Sequence, residues 1–559
     1  MLLGIDVGGT HTDAVIIDRQ GVVKAAKVAT DHDHLLGSVK LVLREVLQGT
    51  NPELIKKINL STTLTTNAIV EQQLDPVGMV VLAGPGINPQ RCRVGSYFFT
   101  GSGSIDHRGK EQQPFDPAAV AGFARHCRDN NVRAYAVVTK FSPRNPDHEI
   151  ALSKLLEPQA DFISIGHRLS GRLNFPRRVA TAFYNSAIWQ SYNCFADAIE
   201  HSIAEFGLKA RIDILKADGG TMPFAASRFS PVQSILSGPA ASVMGIVALC
   251  NISEDAVILD IGGTTTDIAI FAAGAPLLEN DGIAIDGRPT LVRAIITRSI
   301  GIGGDSLIHQ TAGNIQVGPR RQGPAMAFGG RQPTLVDACN VMNLCQAGEV
   351  SASMSGMADL AGRWGTGVTD VAKQAIDYAV GEICEAAGKL ISDLNNQPVY
   401  TIHELLAARK LVPEHLYIMG GPAKVLGCTL AKAFDLETTI PEEYSIANAI
   451  GAALTRTTME VELFADTEKK TLLLPNLNIV KQIPFQYSLD EALTDCKNYL
   501  GNFLEQCAIT DVHKDDIDIV EADSFNMISN YFTVGKNIRV SCQLKPGIQP
   551  GYGEGLRNR

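Results

Sequence analysis

One internal repeat constrains this chain more than any other feature. Residues Gly4 to Ile17 read GIDVGGTHTDAVII, and residues Ile258 to Phe271 read ILDIGGTTTDIAIF. Both spell a short apolar strand, then Asp-x-Gly-Gly-Thr-x-Thr-Asp, then a second apolar strand, which is a β-hairpin pattern. The repeat occurs twice, in opposite halves of the chain, and has no period of ~20–50 residues, so it predicts two related domains facing each other rather than a solenoid.

Between the copies the pattern is α/β. Helical periodicity covers Leu35 to Leu47 and Thr62 to Gln73. Val77 to Ala83, Tyr135 to Lys140 and Phe162 to Ile165 read as buried strands that alternate with helices near 117–130 and 146–156. Such alternation predicts a parallel sheet with crossover helices, appended to the first hairpin domain. Arg178 to Phe206 reads as one long helix linking the halves. A Gly- and Pro-rich region, Ser299 to Pro333, follows the second hairpin, and so much glycine is unfavourable unless backbone must approach something closely. Helices resume at 369–395 and 445–456, and from about Val461 the texture changes toward a small α+β unit. The expected division is 1–175, 176–458 and 459–559, the last without an assignable role.

The repeat also carries the chemistry. Adjacent glycines, Gly8-Gly9 and Gly262-Gly263, let backbone N–H groups come within bonding distance of a phosphate. Thr10, Thr12, Thr264, Thr265 and Thr266 supply hydroxyls. Asp6 and Asp260 end the first strand of each hairpin and would share one space if the domains face each other. Opposed carboxylates at a phosphate site suit Mg²⁺ held through water, and that arrangement positions a γ-phosphoryl group. A single Gly-Gly-Thr turn would be equally consistent with an empty hairpin. The second copy reproduces the acid, both glycines, both threonines and the closing Asp, which turn geometry alone does not require. Gly420-Gly421, after a buried strand, is the expected rest for the adenosine of ATP. Gly303 and Gly304, within Gly301 to Asp305, form a further phosphate-loop candidate.

Other features carry less. Asp31-His32-Asp33-His34 reads as a helix cap, with a metal site as the alternative. Asn145-Pro146-Asp147-His148-Glu149 reads as a helix start, although His148 and Glu149 have acid–base chemistry. The run Gly318 to Gly323 holds two arginines that could meet an anion or solvent. No serine-hydrolase elbow or zincin helix occurs.

At these residues the sequence resembles the hydantoinase A/5-oxoprolinase family, within the superfamily of actin, Hsp70 and sugar kinases. The resemblance covers about residues 1–455. Beyond the hairpins it rests on Thr62-Thr63-Leu64-Thr65-Thr66-Asn67-Ala68, on Ser237-Gly238-Pro239-Ala240-Ala241-Ser242, and on Pro333-Thr334-Leu335-Val336-Asp337-Ala338. It implies an α/β fold of two actin-like ATPase (ribonuclease H-like) domains around a nucleotide cleft, with an inserted α/β subdomain and a small C-terminal α+β region. Ser237 to Ser242 and Ile446 to Ala453 then look like parts of two helices crossing between the halves. The implied activity is ATP-dependent opening of a cyclic amide such as a hydantoin or 5-oxoproline, with ATP and Mg²⁺ as cofactors and Asp6 and Asp260 as catalytic, metal-holding residues. A small-molecule kinase and a nucleotide-driven switch acting on a protein are the alternatives. The chain departs from the family pattern at Gly166 to Arg178, which reads GHRLSGRLNFPRR where a Ser-His-Glu-like strand end and an acidic-aromatic-Arg segment are usual, and at Asp305.

A B-type subunit, as a separate polypeptide, and an oligomeric assembly are expected partners. A net charge of −10 argues against nucleic acid, and no run approaches the ~18 apolar residues of a membrane helix. Eleven cysteines without a Cys-x-x-Cys pair suggest reduced thiols and a cytoplasmic setting.

Overall fold

The computed structural model describes residues 1–557 except 32–33, 280, 397–409, 478, 508, 510–515, 530 and 553. Each copy of the repeat forms the hairpin its pattern predicts. Leu2–Val7 pairs antiparallel with His11–Asp18, and Ala256–Ile261 pairs antiparallel with Thr266–Ala272. All residues of both first strands are buried, because helices and the opposite domain cover the two faces of each sheet.

In the first lobe the hairpin extends antiparallel to Gly21–Ala29 on one side. On the other side Lys57–Thr62 and Arg211–Leu215 run parallel to Leu2–Val7, with Thr221–Pro223 at the edge. The second lobe repeats the plan: His415–Met419 and Glu437–Thr439 run parallel beside Ala256–Ile261, and Thr297–Ile300 pairs with Thr266–Ala272. Two hairpin-led sheets of this order, facing each other, make the actin-like ATPase fold.

The first lobe extends past the expected boundary at 175. Strands Arg211–Leu215 and Thr221–Pro223 complete its sheet, and the intervening segment leaves that lobe and returns. That excursion is a four-stranded, all-parallel sheet of Phe162–Ile165, Ala134–Thr139, Val77–Leu82 and Tyr97–Thr100, in that order. Helices Pro117–Asp129 and Asp147–Leu156 pack on one face and Phe175–Ala187 on the other. Asp116 caps the first of these, accepting from the N–H groups of Ala118 and Ala119. The long helix expected over 178–206 is two helices, Phe175–Ala187 and Trp189–Glu205. The first belongs to the core of the inserted sheet, where it also packs on Ile285 and Val292 of the second half, and the second belongs to the core of the first lobe.

Two helices, Ser237–Leu249 and Ala447–Leu454, cross between the lobes and share one hydrophobic cluster with residues of both sheets. Their small residues permit very close approach. A Cβ on Gly245 would collide with Ala447 O, one on Gly451 with Ala241 O, and one on Gly4 with Ala449 O. Gly451→Ala therefore overpacks the crossing, and we expect it to destabilise the protein by about 1–3 kcal/mol, read as a lower urea midpoint at unchanged slope.

The C-terminal region is an α+β unit. Its antiparallel sheet runs Ile479–Gln482, Thr471–Leu474, Glu460–Asp466, Phe532–Leu544, Ile517–Ser529, with helix Leu489–Gln506 packed on it. Ser488 and Glu491 close a capping box at that helix's start. Ion pairs from Arg172 and Arg293 to Glu460 fasten the sheet to the rest of the molecule. Of the Asp31–His34 run, residues 32 and 33 lie outside the described residues, and Asp31 accepts a hydrogen bond from His34 N. Among the described residues no helix is long and apolar enough to cross a membrane.

Candidate active site in the interlobe cleft

The two hairpin turns meet. Within each, the first glycine donates to the residue before the second strand's threonine: Gly8 N to His11 O at 3.1 Å, and Gly262 N to Thr265 O at 2.8 Å. Across the cleft, Thr10 Oγ1 and Thr264 Oγ1 are 3.4 Å apart. One glycine of each turn is tightly enclosed: a Cβ on Gly8 would stand 2.9 Å from His11 O, and one on Gly263 2.8 Å from Asp305 Oδ2 and 3.1 Å from Thr10 Oγ1. Around this meeting point lies a cavity of about 600 Å³, lined by Gly8, Gly9, Thr10, Gly262, Gly263, Thr264, Thr265, Gly304, Gly420 and Gly421.

Asp6 and Asp260 also line this cavity, and so do Asp13 and Asp267. Antiparallel register sets Asp6 opposite Asp13 and Asp260 opposite Asp267, so each hairpin contributes a pair of acids. Burial, then the neighbouring Asp13 charge, pushes Asp6 up to about 7. Burial and then Asp260 push Asp267 up to about 7. Asp13 and Asp260 are raised by burial too, against the opposing pull of Lys27 on the first and of Ser242 and Asn448 on the second. Asp260 accepts from Ser242 Oγ at 2.5 Å and Asn448 Nδ2 at 3.2 Å. Asp6 Oδ1 and Asp13 Oδ1 have no hydrogen-bond partner.

Three buried acids and the half-buried Asp267, with two orphaned oxygens among them, form a site short of positive charge. Among the described residues no three acid, imidazole or thiol groups converge tightly enough to hold an ion by themselves. The orphaned acid oxygens fit Mg²⁺, which keeps several waters and takes one or two carboxylates together with phosphate oxygens.

Two expected residues stand behind the cleft. Thr12 is fully buried, and its hydroxyl pairs with Thr30 Oγ1 at 3.0 Å, which in turn donates to Gly8 O at 2.9 Å. It braces the first turn from the rear. Thr266 does the same for the second turn, donating to Ile302 O at 2.7 Å. Gly303 packs on that turn, where a Cβ would stand 2.6 Å from Gly262 O, while Gly304 N and Asp305 N donate to Gly262 O and Gly263 O.

Of the other cleft residues, sequence reasoning found only Arg321, as one of two arginines that could meet an anion or solvent. Lys27 pairs with Asp13 at 3.0 Å and donates to Ser445 O at 2.9 Å, tying the lobes together over the acids. Arg321, from the Gly318–Gly323 run, faces the cleft and pairs with Asp305 at 3.1 Å. The second lobe adds an apolar wall of Phe328, Val336, Ala347, Pro422 and Val425. Its loop is fastened by Asp337, which accepts from Met326 N and Ala327 N. Gly420 turns at φ +90°, where a side chain would be strained, and brings backbone up beside Asp260. His148 and Glu149 lie elsewhere, in the inserted subdomain. Glu149 is fully buried and accepts from Thr139 N, His167 N and His167 Nδ1 at 2.7–2.8 Å.

Comparison with known proteins agrees with this architecture. The sequence model described as Hydantoinase/oxoprolinase N-terminal region matches residues 2–159, and that described as Hydantoinase/oxoprolinase matches residues 178–461. The caprolactamase subunit alpha of Pseudomonas jessenii is 28% identical over 373 residues, covering 60% of this chain and 53% of that protein. The acetophenone carboxylase gamma subunit of Aromatoleum aromaticum is 24% identical over 384 residues, covering 60% and 52%. 5-Oxoprolinase 1 of Arabidopsis thaliana is 23% identical over 371 residues, covering 61% and 28%. The matched region is thus about half the length of the first two relatives. Among solved structures, nucleotide-free acetone carboxylase superposes with a TM-score of 0.70 at 16% identity, over 98% of this chain and 87% of that one. The ATP-dependent caprolactamase from Pseudomonas jessenii superposes with a TM-score of 0.68 at 19% identity, over 97% and 87%. With both family regions matched along its length, the chain belongs to the hydantoinase/oxoprolinase family.

Proposed function

We propose that this chain is the ATP-using component of a hydrolase that opens a cyclic amide. One observation carries the reading: matching glycine turns from opposite lobes meet, 3.4 Å apart at their threonine hydroxyls, beside two facing pairs of acids. Relatives named caprolactamase and 5-oxoprolinase support the choice of a cyclic amide.

The adenosine rests on Gly420-Gly421 against the apolar wall of Phe328, Pro422 and Val425. The triphosphate then runs alongside the point where the turns meet, against the backbone of Gly8, Gly9, Gly262 and Gly263 and within reach of the hydroxyls of Thr10, Thr264 and Thr265, with Gly304 flanking it. Asp6 and Asp260 would hold Mg²⁺ through its waters. When bound, that ion neutralises charge building up on the transferring phosphoryl group.

The chemistry answers a specific difficulty, because an amide carbonyl is a poor electrophile. Its oxygen attacks the γ-phosphorus, the bond from that phosphorus to the ADP oxygen breaks, and an O-phosphorylated amide forms. Water then adds at the carbon, the ring C–N bond breaks with the amine as leaving group, and a second water hydrolyses the resulting acyl phosphate to a carboxylate and free phosphate. A B-type partner, on a separate polypeptide in an oligomeric assembly, completes the hydrolysis. The need for ATP and eleven unbridged cysteines favour a cytosolic setting.

ATPase assays with candidate rings test this reading. Lactams or hydantoins are expected to stimulate phosphate release, with ring-opened product once the partner is supplied. A phosphorylated product that persists would replace the hydrolase by a kinase. Stimulation by a protein alone would replace it by a conformational switch.

A further inference from the structure

We propose that the ring is bound in a notch of the cleft walled by Thr63 and, beside it, Gly238-Pro239, a subsite for a small uncharged lactam. This rests on the reading that the chain phosphorylates a cyclic amide.

The placement follows from the sheet. Lys57–Thr62 runs parallel beside Leu2–Val7 with Thr62 opposite Val7, so Thr63 emerges next to Gly8 of the first phosphate turn. It lies on the flank away from that hairpin's second strand. Thr63, Gly238 and Pro239 line the same cavity as the turns, yet belong neither to a turn nor to the apolar wall of the second lobe. With the base against that wall and the triphosphate along the turns, this uncharged lining remains open to the acceptor.

The notch is rigid. Ser237 Oγ accepts from Thr62 N at 3.2 Å and donates to Thr62 O at 2.8 Å. Leu236 N donates to Thr66 Oγ1 at 2.9 Å, and Thr65 and Ser234 pair through their hydroxyls at 3.3 Å. These bonds hold Leu236 in a left-handed conformation, φ +56°, which is unfavourable for a leucine and persists only where its surroundings fix it. The two segments are therefore locked together at the cleft.

Within this lock, Thr63 keeps a lightly committed hydroxyl. Its contacts, to Val7 O at 3.4 Å and Asn67 Nδ2 at 3.5 Å, are at the limit of hydrogen bonding. A hydroxyl both donates and accepts, so it serves either a lactam carbonyl or a ring N–H. Neither Thr63 nor Gly238-Pro239 carries charge, which suits a neutral ring. Gly238 adjoins Thr63 on the notch's wall: a Cβ there would stand 3.5 Å from Thr63 Cγ2, an ordinary contact, so a methyl fits the fold while raising the surface the ring would lie against.

The test is calorimetric titration of wild type, Thr63→Val and Gly238→Ala with five-, six- and seven-membered lactams, in Mg²⁺ and a non-hydrolysable ATP analogue. Analogue affinity, measured in parallel, controls for folding. Thr63→Val is expected to weaken every lactam roughly tenfold by removing one hydrogen bond. Gly238→Ala is expected to weaken the seven-membered ring more than the five-membered one, with analogue affinity in both variants within about twofold of wild type. Ring binding unchanged in both variants would overturn the notch and leave the cyclic-amide reading standing. Loss of analogue affinity in both would assign Thr63 and Gly238 to the nucleotide and overturn the notch. A wild type that binds no ring would overturn the notch and the reading together.

Discussion

Alanine in place of Asp6 or Asp260 is expected to lower ATP turnover by at least about 10²-fold, the scale of losing a group that positions a charge-stabilising ion at the reacting phosphate. The two residues occupy equivalent positions at the ends of the hairpins' first strands, and each faces a second acid across its own hairpin. Their settings differ. Asp260 is held by Ser242 and Asn448, whereas Asp6 keeps one oxygen without a partner. Asp260→Ala thus removes a fixed carboxylate and strands two donors, while Asp6→Ala removes the acid with the freer coordination. An uncompensated buried carboxylate opposes folding, so Asp6→Ala should leave the protein folded. Turnover loss is then separable from unfolding by measuring steady-state ATPase beside a urea melt of the same sample. Near-normal turnover in both variants would mean that neither acid serves the ion.

The repeat made the heart of this site legible because hairpin, turn and acids are all encoded within fourteen consecutive residues. Local pattern and final geometry agree there. Asp13 and Asp267 were visible in the same repeat, but only strand register shows that they face Asp6 and Asp260. Thr12 and Thr266 show the converse. Their hydroxyls suit a phosphate, yet an inward position on the second strand turns them to Thr30 and Ile302 behind the turns. Phe328, Arg321 and Asp305 come from a Gly- and Pro-rich stretch without periodicity, where conformation depends on tertiary partners such as Asp337. The first lobe's far boundary was hidden for a topological reason: Arg211–Leu215 pairs with Lys57–Thr62 from 154 positions earlier, across an entire inserted subdomain.

Arg178→Met is expected to destabilise the protein by about 3–5 kcal/mol, the range for breaking a buried charged pair by removing one member. Arg178 is fully buried in the segment where the chain departs from its family's pattern. Its guanidinium donates to Thr139 O at 3.1 Å, Lys140 O at 2.6 Å and the hydroxyl of Ser142, and lies 3.8 Å from Glu149. Burial pulls the guanidinium down to about 10, still far above neutrality, so the charge is retained. Burial alone would raise Glu149, but His167 and Arg178 hold it below the ordinary range, so it too is ionised at neutral pH. Methionine fills the volume while leaving Glu149 undercompensated and the strand-end acceptors bare. Glu149→Gln in the Arg178→Met background should recover part of the loss, and a double-mutant cycle by urea unfolding reads that coupling directly. Additive losses would mean that the two side chains act independently. The consequence extends to the cleft, because the same helix holds the second lobe: Arg177 donates to Asp281 O, Gly282 O and Thr290 O, Leu291 N donates to Thr181, and Tyr184 donates to Ile285 O. That held segment continues through Thr297–Ile300 into Gly301 to Asp305, which braces the second phosphate turn. Arg178→Met should therefore also weaken binding of an ATP analogue, although Arg178 itself is not among the residues lining the cavity.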